Sequence, residues 1–141
     1  MNILKEHLSK AFSLTRDLAQ GLSSEDLKLK LKDIPSNTIG EQFWCIIGAR
    51  ESYLKAIINQ GWVGFSCSLD DTESKDKVLK SLDKSTQKSF DFLDACELNQ
   101  KQTELLIALL EHEVQHHGQL IRYIYGNKLT FPKSWNQRYN V

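Results

Sequence analysis

The sequence predicts an all-α fold, a four-helix bundle made by a single domain over residues 1–141. Three observations lead there. Four segments repeat apolar residues at the three- and four-residue spacing of an amphipathic helix. No segment alternates apolar and polar residues over more than a few positions. The chain has only two prolines, Pro35 and Pro132, so little interrupts long helices. At 141 residues the chain has the usual size of one domain and can bury roughly two-thirds of its unfolded surface without staples.

The first helix is expected from Asn2 to about Gly21, with Leu4, Leu8, Ala11 and Leu18 on one stripe. The second is expected from Ser36 to about Gly61, after Pro35, with Ser36 or Asn37 as cap and Ile39, Phe43, Ile46, Ile47, Leu54, Ile57 and Ile58 as its apolar positions. The third runs from Thr72 to about Cys96, with acidic residues in its first turn and Val78, Leu82, Leu93 and Cys96 as its apolar positions. The fourth runs from Thr103 to about Tyr125 through Leu105, Leu106, Leu109, Leu110, Leu120, Ile121 and Ile124, and stops at Gly126, read as its C′ residue. Residues 62–67 read as a loop rather than a strand, and the long connection after the second helix is expected to cross an end of the bundle. Amphipathic helices of this length in one domain bury their stripes against one another. Core packing is the default expectation for Trp44, Trp62 and Trp135.

Composition narrows the function. Eighteen basic and 18 acidic residues cancel, leaving no global field for nucleic acid or a membrane surface. After Glu113 the chain has no acid, while Arg122, Lys128, Lys133 and Arg138 follow; this reads as a solvated basic tail. The first dozen residues lack the continuous apolar core of a signal peptide, and no apolar run approaches the roughly 18 residues of a membrane span. A cytoplasmic protein is expected, with Cys45, Cys67 and Cys96 as reduced thiols.

The chemistry concentrates at His112-Glu113-Val114-Gln115-His116-His117-Gly118-Gln119. His112 and His116 are four apart and share one helix face. At about 100° per residue they fall within the stripe of Leu105, Leu109, Leu120 and Tyr123, so both rings point inward. Buried rings need partners, since an unpaired buried polar group costs on the order of 1–3 kcal/mol, and one metal ion satisfies both. Hydrogen-bonded core histidines are the plainer alternative. His117, about 100° away, is expected at the edge or exposed, and Glu113 is expected to point away from the stripe.

The string also fits the zinc-protease pattern with Glu113 as base. Residues 118–141 hold no His, Asp or Glu to complete such a site, and no substrate-binding strand is expected beside the helix, so that reading fails. A third ligand must come from upstream: His7, Cys45, Cys67, Cys96 or a carboxylate. Cys45 as thiolate is a good zinc ligand and as thiol a small buried hydrophobe; spacing does not choose. Arg50, near the centre of the second helix's apolar arc, is expected to pair with a buried acid or hold an anionic substrate.

Two motifs resemble the DinB/YfiT-like superfamily of bacterial four-helix-bundle proteins: the run from Thr38 to Glu51, and His112-Glu113-Val114-Gln115-His116-His117-Gly118-Gln119-Leu120 with the turn to Gly126 and Pro132. The resemblance covers nearly the whole chain. It implies an up-down-down-up bundle, frequent homodimers, and a divalent metal on three histidines, one from the second helix. His112 and His116 match the pair, while Cys45 stands where the family has its second-helix histidine, and His117 where it often has Arg. A Cys45–His112–His116 site suits zinc best, then nickel or iron. The implied activity is metal-dependent chemistry on a small-molecule substrate, either hydrolysis or transfer of a low-molecular-weight thiol. The competing expectation is a non-catalytic dimeric stress-response or binding protein with a degenerate metal site, or a redox role for Cys45.

Overall fold

A computed structural model describes residues 2–141. The protein is all-helical, with no strand among the described residues: α1 spans Asn2–Gly21, α2 Ile39–Asn59, α3 Lys75–Ala95, α4 Gln100–Gly126 and α5 Lys133–Tyr139, with a single 3-10 turn at Asp26–Lys28. None of these helices is long and apolar enough to cross a membrane.

The four expected helices are present, with shifted starts that their caps explain. α2 begins at Ile39 because Thr38 and Glu41 form a reciprocal capping box, rather than at Ser36 or Asn37. Asn99 and Gln102 do the same for α4, so it starts earlier than Thr103. Ser74 caps α3 through the Lys77 amide, a turn later than expected. At the end of α4, Gly126 is still helical; the left-handed position beyond it belongs to Lys128.

α1 packs on α3 and α4, α2 packs on α3 and α4, and α2 against α4 is the most extensive pair. The residues 60–74 between α2 and α3 contain no strand and lie back along α2. Ser66 meets Ser52, Ser68 meets Glu51, and Cys67 Sγ donates to the Trp44 carbonyl. At the start of α2 the link passes so close that a Cβ on Gly40 would lie 2.0 Å from the Thr72 carbonyl oxygen. Gly40→Ala is therefore expected to force backbone apart and to cost about 1–3 kcal/mol. Chemical denaturation at neutral pH measures it, and a change within 0.5 kcal/mol would contradict this packing.

Two apolar clusters fill the interior. One joins Leu18, Phe43, Ile46, Ile47, Leu82, Leu120, Ile124 and Trp135. The other joins Leu8, Phe12, Ala49, Ile57, Leu93, Leu106 and Leu109. A buried polar layer of Thr15, Arg50, Ser85, Glu113 and His117 links the four long helices. α5 was not among the expected helices. It docks through Trp135, fully buried with its indole N–H donating to the Leu14 carbonyl at 2.7 Å, and through Ser134, whose hydroxyl donates to Asp17 at 2.7 Å. Of the other tryptophans, core packing does not hold: Trp44 is 37% exposed and Trp62 53% exposed.

Candidate metal centre

α2 and α4 bring Cys45, His112 and His116 together, with one ligand atom from each within 4.8 Å of the other two. The cluster could hold a metal ion. Cys45 Sγ lies 3.8 Å from His112 Nε2, and the two imidazole rings are 4.6 Å apart at 57°. The stripe that contains the histidines faces α2, as their spacing required, but unequally: His116 is buried and His112 half-buried. His7 is exposed, and Cys67 and Cys96 lie outside the cluster. Cys67 donates to the Trp44 carbonyl and Cys96 to that of Phe92.

The orientation of His116 is set by a chain of amides. Gln42 donates both of its amide hydrogens, to Asn37 Oδ1 at 3.0 Å and to Gln119 Oε1 at 2.9 Å. Its Oε1 is thus an acceptor, and His116 Nδ1, 2.6 Å away, must be the donor. The lone pair of His116 is left on Nε2. Fixing a ligand imidazole through its other ring nitrogen is what a metal site requires of its surroundings. Tyr123 extends the chain by donating to the Asn37 carbonyl at 2.9 Å.

His112 has no such partner. Its Nδ1 is buried with no hydrogen bond, and its other nitrogen faces only the Cys45 sulfur. An unpaired ring nitrogen in this position is costly unless something accepts or donates there. The donor set of one sulfur and two imidazoles fits a zinc-type cation. Tyr53 leans on His112 with centroids 6.5 Å apart, and Trp62 packs on Tyr53 at 5.3 Å.

Burial tunes the three groups. It lowers the pKa of His112, and it lowers that of His116 to about 4, with the neighbouring His112 adding to the effect. Both rings are neutral at pH 7 and their lone pairs are available. Burial pushes the Cys45 thiol upward, so taking a cation here releases a proton.

One expectation about α4 is overturned: His117 is not at the edge but fully buried. Glu113 points off the histidine stripe, as expected, and is itself buried in the core. α4 is buried on two faces, about 100° apart, so a second i, i+4 pair, Glu113 and His117, is interior. Arg50 pairs with Glu113 in a fork, Nε to Oε1 at 3.0 Å and Nη2 to Oε2 at 2.5 Å, with both side chains fully buried. Its remaining nitrogen donates to Leu82 O, Ser85 and Thr86, and its guanidinium stacks 3.7 Å from the Phe12 centroid. Thr15 donates to Glu113 Oε2 at 2.5 Å, so it accepts from His117 Nε2 at 2.7 Å. His117 Nδ1 is then the acceptor for the Tyr139 hydroxyl at 2.6 Å. Glu113 is occupied as a structural anion and Glu41 as half of a capping box, which leaves neither free as a base.

Burial also lowers the pKa of His117 to about 4. In the unfolded chain His116 and His117 titrate near 6.5. Between pH 6.5 and 4 the unfolded chain therefore binds protons that the folded chain does not. Stability is fully present above 6.5, falls as pH drops through this window, and changes no further from these groups below about 4. The loss should reach a few kcal/mol. Urea denaturation with a chelator present, at pH 7, 5.5 and 4.5, measures it; a flat response over that range would contradict the neutral, buried rings.

No protein-family model matches the chain, and no curated protein matches it.

Proposed function

We propose that the protein is a metal-dependent enzyme of small molecules, with a divalent ion, zinc in first place, held by Cys45, His112 and His116. The observation that carries this is the convergence of one thiol and two neutral imidazoles from two helices, one imidazole already oriented by Gln42. Three protein ligands are the number a catalytic zinc site uses, leaving a position for water or a thiol. Bound there, zinc would make that water acidic or stabilise a thiolate nucleophile. This chain's own residues keep both rings neutral, fix the His116 tautomer and place Tyr53 beside His112.

The same reading takes the bundle as up-down-down-up and DinB/YfiT-like. In its support, the ion pairs Lys5–Asp94 and Arg16–Asp83 run α1 and α3 in opposite directions. The returning link starts α3 at the same end as α2. Gln102 bonded to the Ile57 carbonyl, with Gln42 bonded to Gln119, runs α4 against α2.

Between hydrolysis and transfer of a low-molecular-weight thiol, the sulfur ligand and the apolar, aromatic neighbour favour the thiol. The test is a panel of small thiols with model electrophiles, assayed beside a panel of esters and amides. Turnover abolished by chelation and restored by zinc is the expected result. Turnover indifferent to chelation, or none with either panel, would contradict the proposal.

A further inference from the structure

A cavity of about 430 Å³ lies between α2, α3 and the returning link, lined by none of Cys45, His112 and His116. At 100° per residue Leu54 and Ile58 lie about 180° and 220° from Cys45 around the helix. The volume is within the roughly 300–1,000 Å³ of small-molecule pockets.

Its walls are built. Ser66 is clamped to α2 by two bonds with Ser52, its amide donating to Ser52 Oγ at 3.0 Å and its carbonyl accepting from the same hydroxyl at 3.1 Å. Gly48 lets the link lie this close: a Cβ there would sit 2.3 Å from Phe65 and 3.0 Å from the Cys67 Cβ. The floor is apolar, from Leu54 and Ile58. Arg50 closes the inner end, but its charge is taken by Glu113. Glu51, the one carboxylate in the lining, has both oxygens occupied by the amide and hydroxyl of Ser68, at 2.8 and 2.5 Å.

Two cations remain. Lys55 reaches only the Ser66 hydroxyl, at 3.1 Å, and Lys88 across the cavity on α3 makes no ion pair among the described residues. We propose that this cavity is a binding site for a small amphiphilic anion, its carboxylate or phosphate head between Lys55 and Lys88 and its apolar body on Leu54 and Ile58. Charge at the rim and hydrocarbon at the floor select such a molecule over a neutral alcohol of the same length or a bare inorganic anion. None of the residues of the proposed metal centre lines the cavity.

Calorimetric titration of the full chain with octanoate, octyl phosphate, octan-1-ol and inorganic phosphate tests this. Saturable binding of octanoate or octyl phosphate is expected, at least tenfold tighter than octan-1-ol or inorganic phosphate; whichever amphiphile binds tighter names the head group. Lys55→Glu with Lys88→Glu, both exposed positions, should weaken it at least tenfold while circular dichroism is unchanged. Cys67 lines the cavity, so bound amphiphile should slow its alkylation severalfold and leave Cys96 unaffected. Binding indifferent to the double charge reversal, equal binding of octan-1-ol, or no protection of Cys67 would overturn the proposal.

Discussion

Replacing Glu113 with alanine should cost about 3–5 kcal/mol, because it strands the Arg50 guanidinium in the interior. The side chain answers to three helices at once. It receives both forks of Arg50 from α2, the Thr15 hydroxyl from α1, and through Thr15 it fixes His117 on its own helix. Arg50 in turn reaches α3 through Leu82, Ser85 and Thr86. Arg50→Met alone leaves the carboxylate uncompensated and should cost a similar amount. The double change Arg50→Met with Glu113→Leu removes both charges and keeps much of the volume, so it should cost far less than the sum. Equilibrium denaturation of the wild type, Arg50→Met, Glu113→Leu and the double variant gives the coupling. Additive losses, or single losses under 1 kcal/mol, would contradict a buried pair that fixes the register of α4.

Trp135→Ala should cost about 3–5 kcal/mol, as large as most core truncations, although it sits in a seven-residue helix near the end of the chain. The indole is fully buried, with ring centroids 4.9 Å from His117, 5.4 Å from Tyr139 and 6.1 Å from Phe131. Its loss opens a cavity beside the buried polar layer and leaves the Leu14 carbonyl without its 2.7 Å donor. Trp135→Phe should recover part of the loss, since it restores volume but not the N–H. Thermal denaturation compares the two. A Trp135→Ala variant as stable as the parent would mean that α5 is an appendage rather than part of the core.

What was legible in the sequence follows from period and length. The four long helices declare themselves because each repeats an apolar stripe over several turns, and their ends moved only where a cap lay outside that stripe, as Thr38 and Asn99 do. α5 has two turns and no repeat, so Trp135 offered no more signal than an exposed aromatic. The same holds for Trp44 and Trp62, which are exposed: a lone indole carries no direction. The direction of His112 and His116 was readable, since they sit among leucines. The second buried pair, Glu113 and His117, was not, because a helix buried on two faces breaks the assumption of one stripe and an opposite solvent face. Arg50, in the middle of an apolar arc, was the one available hint that a buried acid existed, and Glu113 is that acid. Spacing left the third ligand open among His7, three cysteines and the carboxylates. Only the packing of α2 on α4 separates Cys45 from the others, because it depends on how far one helix is slid along the other.

Metal analysis of tag-free protein, as wild type, Cys45→Ala and His116→Ala, decides whether Cys45, His112 and His116 hold one ion together. Stoichiometric metal in the wild type and its loss from both variants is the expected result. Wild-type protein that stays metal-free after zinc is added, or Cys45→Ala protein that keeps its metal when His116→Ala loses it, would contradict a three-ligand centre.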